Sequence, residues 1–105
     1  MSSTEFDSYI IYHEEKAGVT EKVKINCFMG DKTVGYITFY DGPLPDPEVL
    51  HTGALSLSFP YSRVHEIVTT VRYEKPLFMS IYGTKSVIST VKEPVGEQEG
   101  LGVPE

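Results

Sequence analysis

The sequence predicts an α+β domain, a mainly antiparallel, curved sheet in the order β-β-β-β-α-β-β with one amphipathic helix packed on it. Three observations predict it. Apolar residues recur every second position at 22–29 and 54–59. Helical spacing is confined to one stretch, where Val64, Ile67, Val68 and Val71 fall at i, i+3, i+4 and i+7. Gly and Pro clusters interrupt the runs at short intervals, and short connections favour antiparallel neighbours. The 105 residues fit one domain, placed at 1–92, followed by an acidic flexible tail at 93–105.

Residues 6–13, Phe-Asp-Ser-Tyr-Ile-Ile-Tyr-His, are rich in aromatic and β-branched side chains and read as the first strand. Lys16-Ala17-Gly18 supplies a turn. In the second strand, 22–29, Val23, Ile25, Cys27 and Met29 point one way and Lys22, Lys24, Asn26 and Phe28 the other. Gly30 suits a tight turn that needs positive φ. The third strand, 33–40, is apolar on both faces: Ile37 and Phe39 oppose Val34, Tyr36 and Tyr40.

Residues 41–53 hold three Pro and two Gly, so regular structure is not expected there. Alternation resumes at 54–59, with Leu55, Leu57 and Phe59 on one side. Ser62 stands where an N-cap of the helix would, and Pro76 sets its end. The stripe is β-branched throughout, so tertiary packing has to hold the helix. Residues 77–82 and 85–91 form a hairpin around Gly83-Thr84, which fits a type II′ turn with Gly first.

A helix is about 10–12 Å across. Six strands spaced about 4.8 Å apart span roughly 25–29 Å, so one helix shelters only two or three of them. The sheet is therefore expected to curl around the helix, and a second copy of the chain to cover what stays open. The sequence predicts a homodimer.

The formal net charge is −6, of which the tail carries −4 through Glu93, Glu97, Glu99 and Glu105. The remaining residues hold 11 acids against 9 bases, with Lys16, Lys22, Lys24 and Lys32 interleaved among acids. No basic cluster is available for a phosphate backbone, which argues against nucleic acid as a partner. No apolar run approaches the about 20 residues that cross a bilayer, and the first residues lack a secretion signal, so a cytoplasmic location is expected without a membrane partner. The lone Cys27 fits a reducing compartment and a small core hydrophobe.

No cofactor motif is present: the glycines that cluster, Gly96, Gly100 and Gly102, lie in the tail. Asp41, Asp46, Glu48 and His51 share the proline-rich stretch, but their spacing matches no calcium or zinc signature. Ser and His occur without a nucleophile elbow. The over-used residue type is aromatic, with seven Tyr and five Phe. Tyr12, Phe28, Tyr36 and Tyr40, with Asp46, Glu48 and His51, form the candidate ligand or partner surface.

A short meander followed by a helix resembles the curved-sheet, single-stranded nucleic-acid binders of the Whirly type, whose aromatics stack bases. The resemblance is one of pattern, and the chain departs from it in its second hairpin and its lack of basic residues. The sequence thus predicts a non-enzymatic, homodimeric interaction module with an unidentified protein partner. The alternatives are a single-stranded nucleic-acid binder and a small enzyme with its site at the proline-rich loop.

Overall fold

Two strands that read as one run in the sequence belong to different sheets. The computed structural model describes residues 1–92 with Pro94 and Val95; the rest of the predicted tail, 93–105, lies outside the described residues. Strand β1 spans Ser2–Phe6 and β2 spans Ser8–His13, so the predicted strand 6–13 starts earlier and breaks at Asp7. The Asp7 N–H donates to the Phe28 carbonyl at 2.8 Å. Its carboxylate accepts from the Gly30 N–H at 3.2 and 3.4 Å. Held this way, Asp7 turns Phe6, 3% exposed, into the core and leads the chain from one sheet to the next.

The five-stranded sheet has the order β2-β3-β4-β6-β5, with β3 at Glu21–Met29, β4 at Lys32–Tyr40, β5 at Glu48–Val49 and β6 at Leu55–Pro60. The three-stranded sheet has the order β1-β7-β8, with β7 at Leu77–Tyr82 and β8 at Lys85–Ser89. Among the described residues all pairings are antiparallel except β4 with β6. A parallel pair needs a crossover of a dozen residues or more, and the proline-rich stretch supplies it. That stretch is less irregular than predicted. Glu48 and Val49 pair with Ser56 and Leu55, and a turn from Leu50 to Gly53, with Gly53 at φ 93°, closes the hairpin. Pro47 on one side and the turn on the other keep it to two residues.

The class is α+β, with mainly antiparallel strands and one α-helix among the described residues, as the periodicity indicates. The single curved sheet is replaced by two. Ile25, Cys27, Ile37, Phe39, Leu57 and Phe59 of the larger sheet meet Phe6, Leu77, Met79 and Ile81 of the smaller one, and Ile67 and Val71 of the helix complete the core. The cover that the helix cannot provide comes from β1 and the β7–β8 hairpin of the same chain. The two sheets come together at Gly35. A Cβ there would collide with Met79 Sδ and Cε and would lie 2.9 Å from the Leu55 carbonyl oxygen. At the opposite border, the Ser58 N–H donates to Ser86 Oγ at 3.0 Å, joining β6 to β8.

Both tight hairpins follow their glycines. Gly30 and Gly83 each have φ 62° in two-residue turns, and among the described residues no non-glycine has positive φ, as type II′ requires. The second hairpin's last strand ends at Ser89, two residues earlier than predicted. A register shift between Cys27 and Phe28 leaves Val34 as an extra residue in β4. Val34 consequently packs against the core, although the simple alternation places it with Tyr36.

Helix α1, Val64–Tyr73, is entered through one 3₁₀ turn, Tyr61–Arg63. Ser62 lies inside that turn, so it does not cap the helix; Arg63 holds the N-cap position without a side-chain cap. The chain becomes extended at Glu74, two residues before Pro76. Among the described residues no helix is long and apolar enough to cross a membrane.

Two substitutions test this packing in urea unfolding. Gly35→Ala should destabilise the fold by about 1–3 kcal/mol through overpacking; an unchanged midpoint would show that the sheets are not in close contact there. Ile67→Ala should cost about 2–5 kcal/mol through a cavity under the helix; a loss below about 0.5 kcal/mol would mean the helix is not part of the core.

Candidate binding surface

The period of two sorts every strand of the larger sheet into an inner and an outer side. The inner side packs against β1, the β7–β8 hairpin and α1, apart from a cavity beside His13 and Val23. On the outer side, cross-strand register places Ile10 beside Asn26 and Asn26 beside Tyr36, in one row. The next row holds Tyr12, Lys24 and Thr38, and Ser8 pairs with Phe28. The predicted aromatics Tyr12, Phe28 and Tyr36 are thus brought together on one face. Tyr40 shares that face at its far end, opposite Glu21 and Pro60.

The face is graded. Phe28, Tyr36 and Tyr40 are half-buried, while Ile10 and Tyr12 on the border strand are 47% and 43% exposed. Lys24 Nζ sits 5.4 Å from the centre of the Tyr36 ring, a cation–π approach that spreads the lysine stem over apolar surface. Asn26 Oδ1 is buried among these side chains without a hydrogen-bond partner. Burial raises the pKa of Tyr40, and the charge of Glu21 adds to this, while the Thr38 and Ser58 hydroxyls oppose it.

Strand β2 borders the sheet and pairs only with β3 among the described residues. The Glu14 N–H donates to the Lys22 carbonyl at 2.9 Å, which continues the β2–β3 register. In an antiparallel ladder, hydrogen-bonded pairs alternate with non-bonded ones. The even-numbered residues therefore bond to β3, and Tyr9, Ile11 and His13 turn their backbone N–H and C=O groups to the open edge. The importance of Ile10 and of this edge was not drawn from the sequence. The signal was present: Ser-Tyr-Ile-Ile-Tyr-His holds no Lys, Glu, Asp or Pro, the residues that usually blunt an edge strand.

The polar residues of the proline-rich stretch do not converge. Asp46 borders a shallow cavity of about 270 Å³ that also touches Pro60, Arg63, Thr84 and Ser86. Neither Glu48 nor His51 lines it. Glu48 is exposed on β5, and His51 is exposed in the turn that follows. Among the described residues no group of three His, Cys, Asp or Glu is placed to hold a metal ion.

Cys27 is fully buried beneath the sheet, and burial pushes its thiol pKa up to about 12. The thiolate is the nucleophilic form, so the folded site suppresses it. The unfolded thiol ionises near 9.0. Below that pH both states keep the proton, and the cysteine adds no pH dependence; from there to about 12 only the unfolded chain loses it, so stability falls as pH rises.

Comparison of the chain with protein-family models, curated proteins and solved structures finds no match. The surface itself therefore carries the functional argument.

A thiol-reactive disulfide reagent at pH 8 should leave the native protein unlabelled and label it stoichiometrically in urea. Fast labelling of the native state would show that Cys27 is reachable and ionised.

Proposed function

We propose that the chain is a non-enzymatic, homodimeric interaction module that pairs with a second copy along β2 and offers the outer face of the doubled sheet to a protein partner. The observation that carries this reading is the open edge of β2, six uncharged or weakly basic residues long, beside the exposed Ile10 and Tyr12. An apolar, unguarded edge invites pairing, because each free N–H and C=O finds its match in another strand.

Twofold symmetry restricts the register. Directly opposed residues in an antiparallel pair must point to the same face, so odd-numbered residues can meet only odd and even only even. Centring the pair on Ile11 satisfies this condition. It bonds Ile11 to the partner's Ile11 and Tyr9 to the partner's His13, using the outward-facing backbone groups. On the outer side it sets Ile10 against the partner's Tyr12, and symmetry repeats that apolar contact. The two five-stranded sheets become one ten-stranded layer whose aromatic face is continuous.

The base-stacking alternative receives less support. A stacking platform offers free ring faces along a basic groove, whereas Lys24 already lies over Tyr36 and the chain is acidic. The enzymatic alternative requires convergent groups, which Asp46, Glu48 and His51 do not supply.

Light scattering after size exclusion should give about twice the 11.7 kDa chain mass. Ile10→Lys, on the exposed side of β2, should return the mass to that of one chain without loss of secondary structure. A wild-type monomer at millimolar concentration, or a dimer indifferent to Ile10→Lys, would refute pairing along β2.

A further inference from the structure

All four residues of the apolar stripe of helix α1 meet the core, but only two of them are fully covered. Ile67 and Val71 are buried, whereas Val64 and Val68 remain half-buried. With Val23 they line a cavity of about 300 Å³ between α1 and the β2–β3 ladder. That volume lies at the lower end of the about 300–1,000 Å³ usual for small-molecule sites. The remaining lining residues are His13, Tyr61, His65 and Arg72, all exposed. His65, Val68 and Arg72 fall at i, i+3 and i+7, so a single helix face assembles them.

The chemistry of this lining is one-sided. Among the described residues no carboxylate lines the cavity, although the chain has 15 acidic residues and a net charge of −6. The chain has two arginines. Arg63 is held by Glu66 at 3.1 Å, whereas Arg72 has no ion-pair partner among the described residues. The Arg72 guanidinium instead lies over the Tyr73 ring, 5.6 Å from its centre. A guanidinium can only donate hydrogen bonds, and both imidazoles and the Tyr61 hydroxyl can add donors. The complement of this mouth is an anionic acceptor; the complement of the valine floor is a hydrocarbon body.

We propose that the cavity binds a small organic carboxylate with a short apolar body. The carboxylate sits on Arg72, whose planar fork matches it in two-point fashion, with His13, His65 and Tyr61 around it. The body covers Val64 and Val68, above the buried Val23. All of the lining comes from one chain, and His13 is the one lining residue that also belongs to the β2 edge.

The test is an NMR titration of the full chain with hexanoate, using inorganic phosphate as the charge alone and hexanol as the body alone. Hexanoate should give saturable shifts of the His13 and His65 ring signals and of the Val64 and Val68 methyls, with a dissociation constant below about 10 mM. Phosphate and hexanol should each bind about tenfold or more weakly, and Arg72→Gln should weaken hexanoate by about tenfold. His65→Gln, also at an exposed position, provides a second variant and should weaken it by a smaller factor. Shifts that do not saturate, map elsewhere, persist unchanged in Arg72→Gln, or are matched by phosphate or hexanol would overturn the proposal.

Discussion

The constraint behind this fold is the need to cover one apolar face of a five-stranded sheet with a helix too narrow for the task. A ten-residue helix shelters part of that face, and the chain closes the rest by changing sheets at Asp7. One short acidic residue anchors the change. Its N–H holds the end of β3 and its carboxylate the β3–β4 turn while Phe6 goes inward, so β1 departs to join β7. The larger sheet thereby acquires a lid from its own chain. Gly35 then favours close packing, because a Cβ there would meet the end of Met79 and the Leu55 carbonyl oxygen.

Covering the inner face has a consequence for function. The apolar side chains that remain on the outer face cannot be explained by the core. Tyr12, Phe28 and Tyr36 stand together there, and Ile10 lies at the margin. The same switch at Asp7 leaves β2 at the border of its sheet, with one row of backbone groups satisfied and the other open. Edge and face therefore arise from one event in the chain path. This is why pairing through β2 and presentation of the aromatic face belong to one proposal.

Much of this arrangement was legible in the sequence because it is local. The alternation at Val23, Ile25 and Cys27, the stripe of Ile67 and Val71, and the hairpin glycines Gly30 and Gly83 all fix structure within a few residues. The parts that were not legible depend on distant partners. Ser2–Phe6 has little apolar pattern, and its strand exists because β7 lies alongside, with Ser3 Oγ 2.9 Å from Ser80 Oγ. The parallel β4–β6 pair likewise depends on where a proline-rich crossover lands. Within the candidate surface, Tyr12, Phe28 and Tyr36 could be grouped from strand periodicity alone. The dispersal of Asp46, Glu48 and His51 could not, because periodicity says nothing about an irregular loop.

Hydrogen exchange at the β2 amides examines the central claim residue by residue. If a second chain occupies the edge, the amides of Tyr9, Ile11 and His13 should exchange slowly at high protein concentration and accelerate on dilution, while those of Ile10 and Tyr12 stay slow throughout. Fast exchange of the three odd-numbered amides at every concentration would contradict the account.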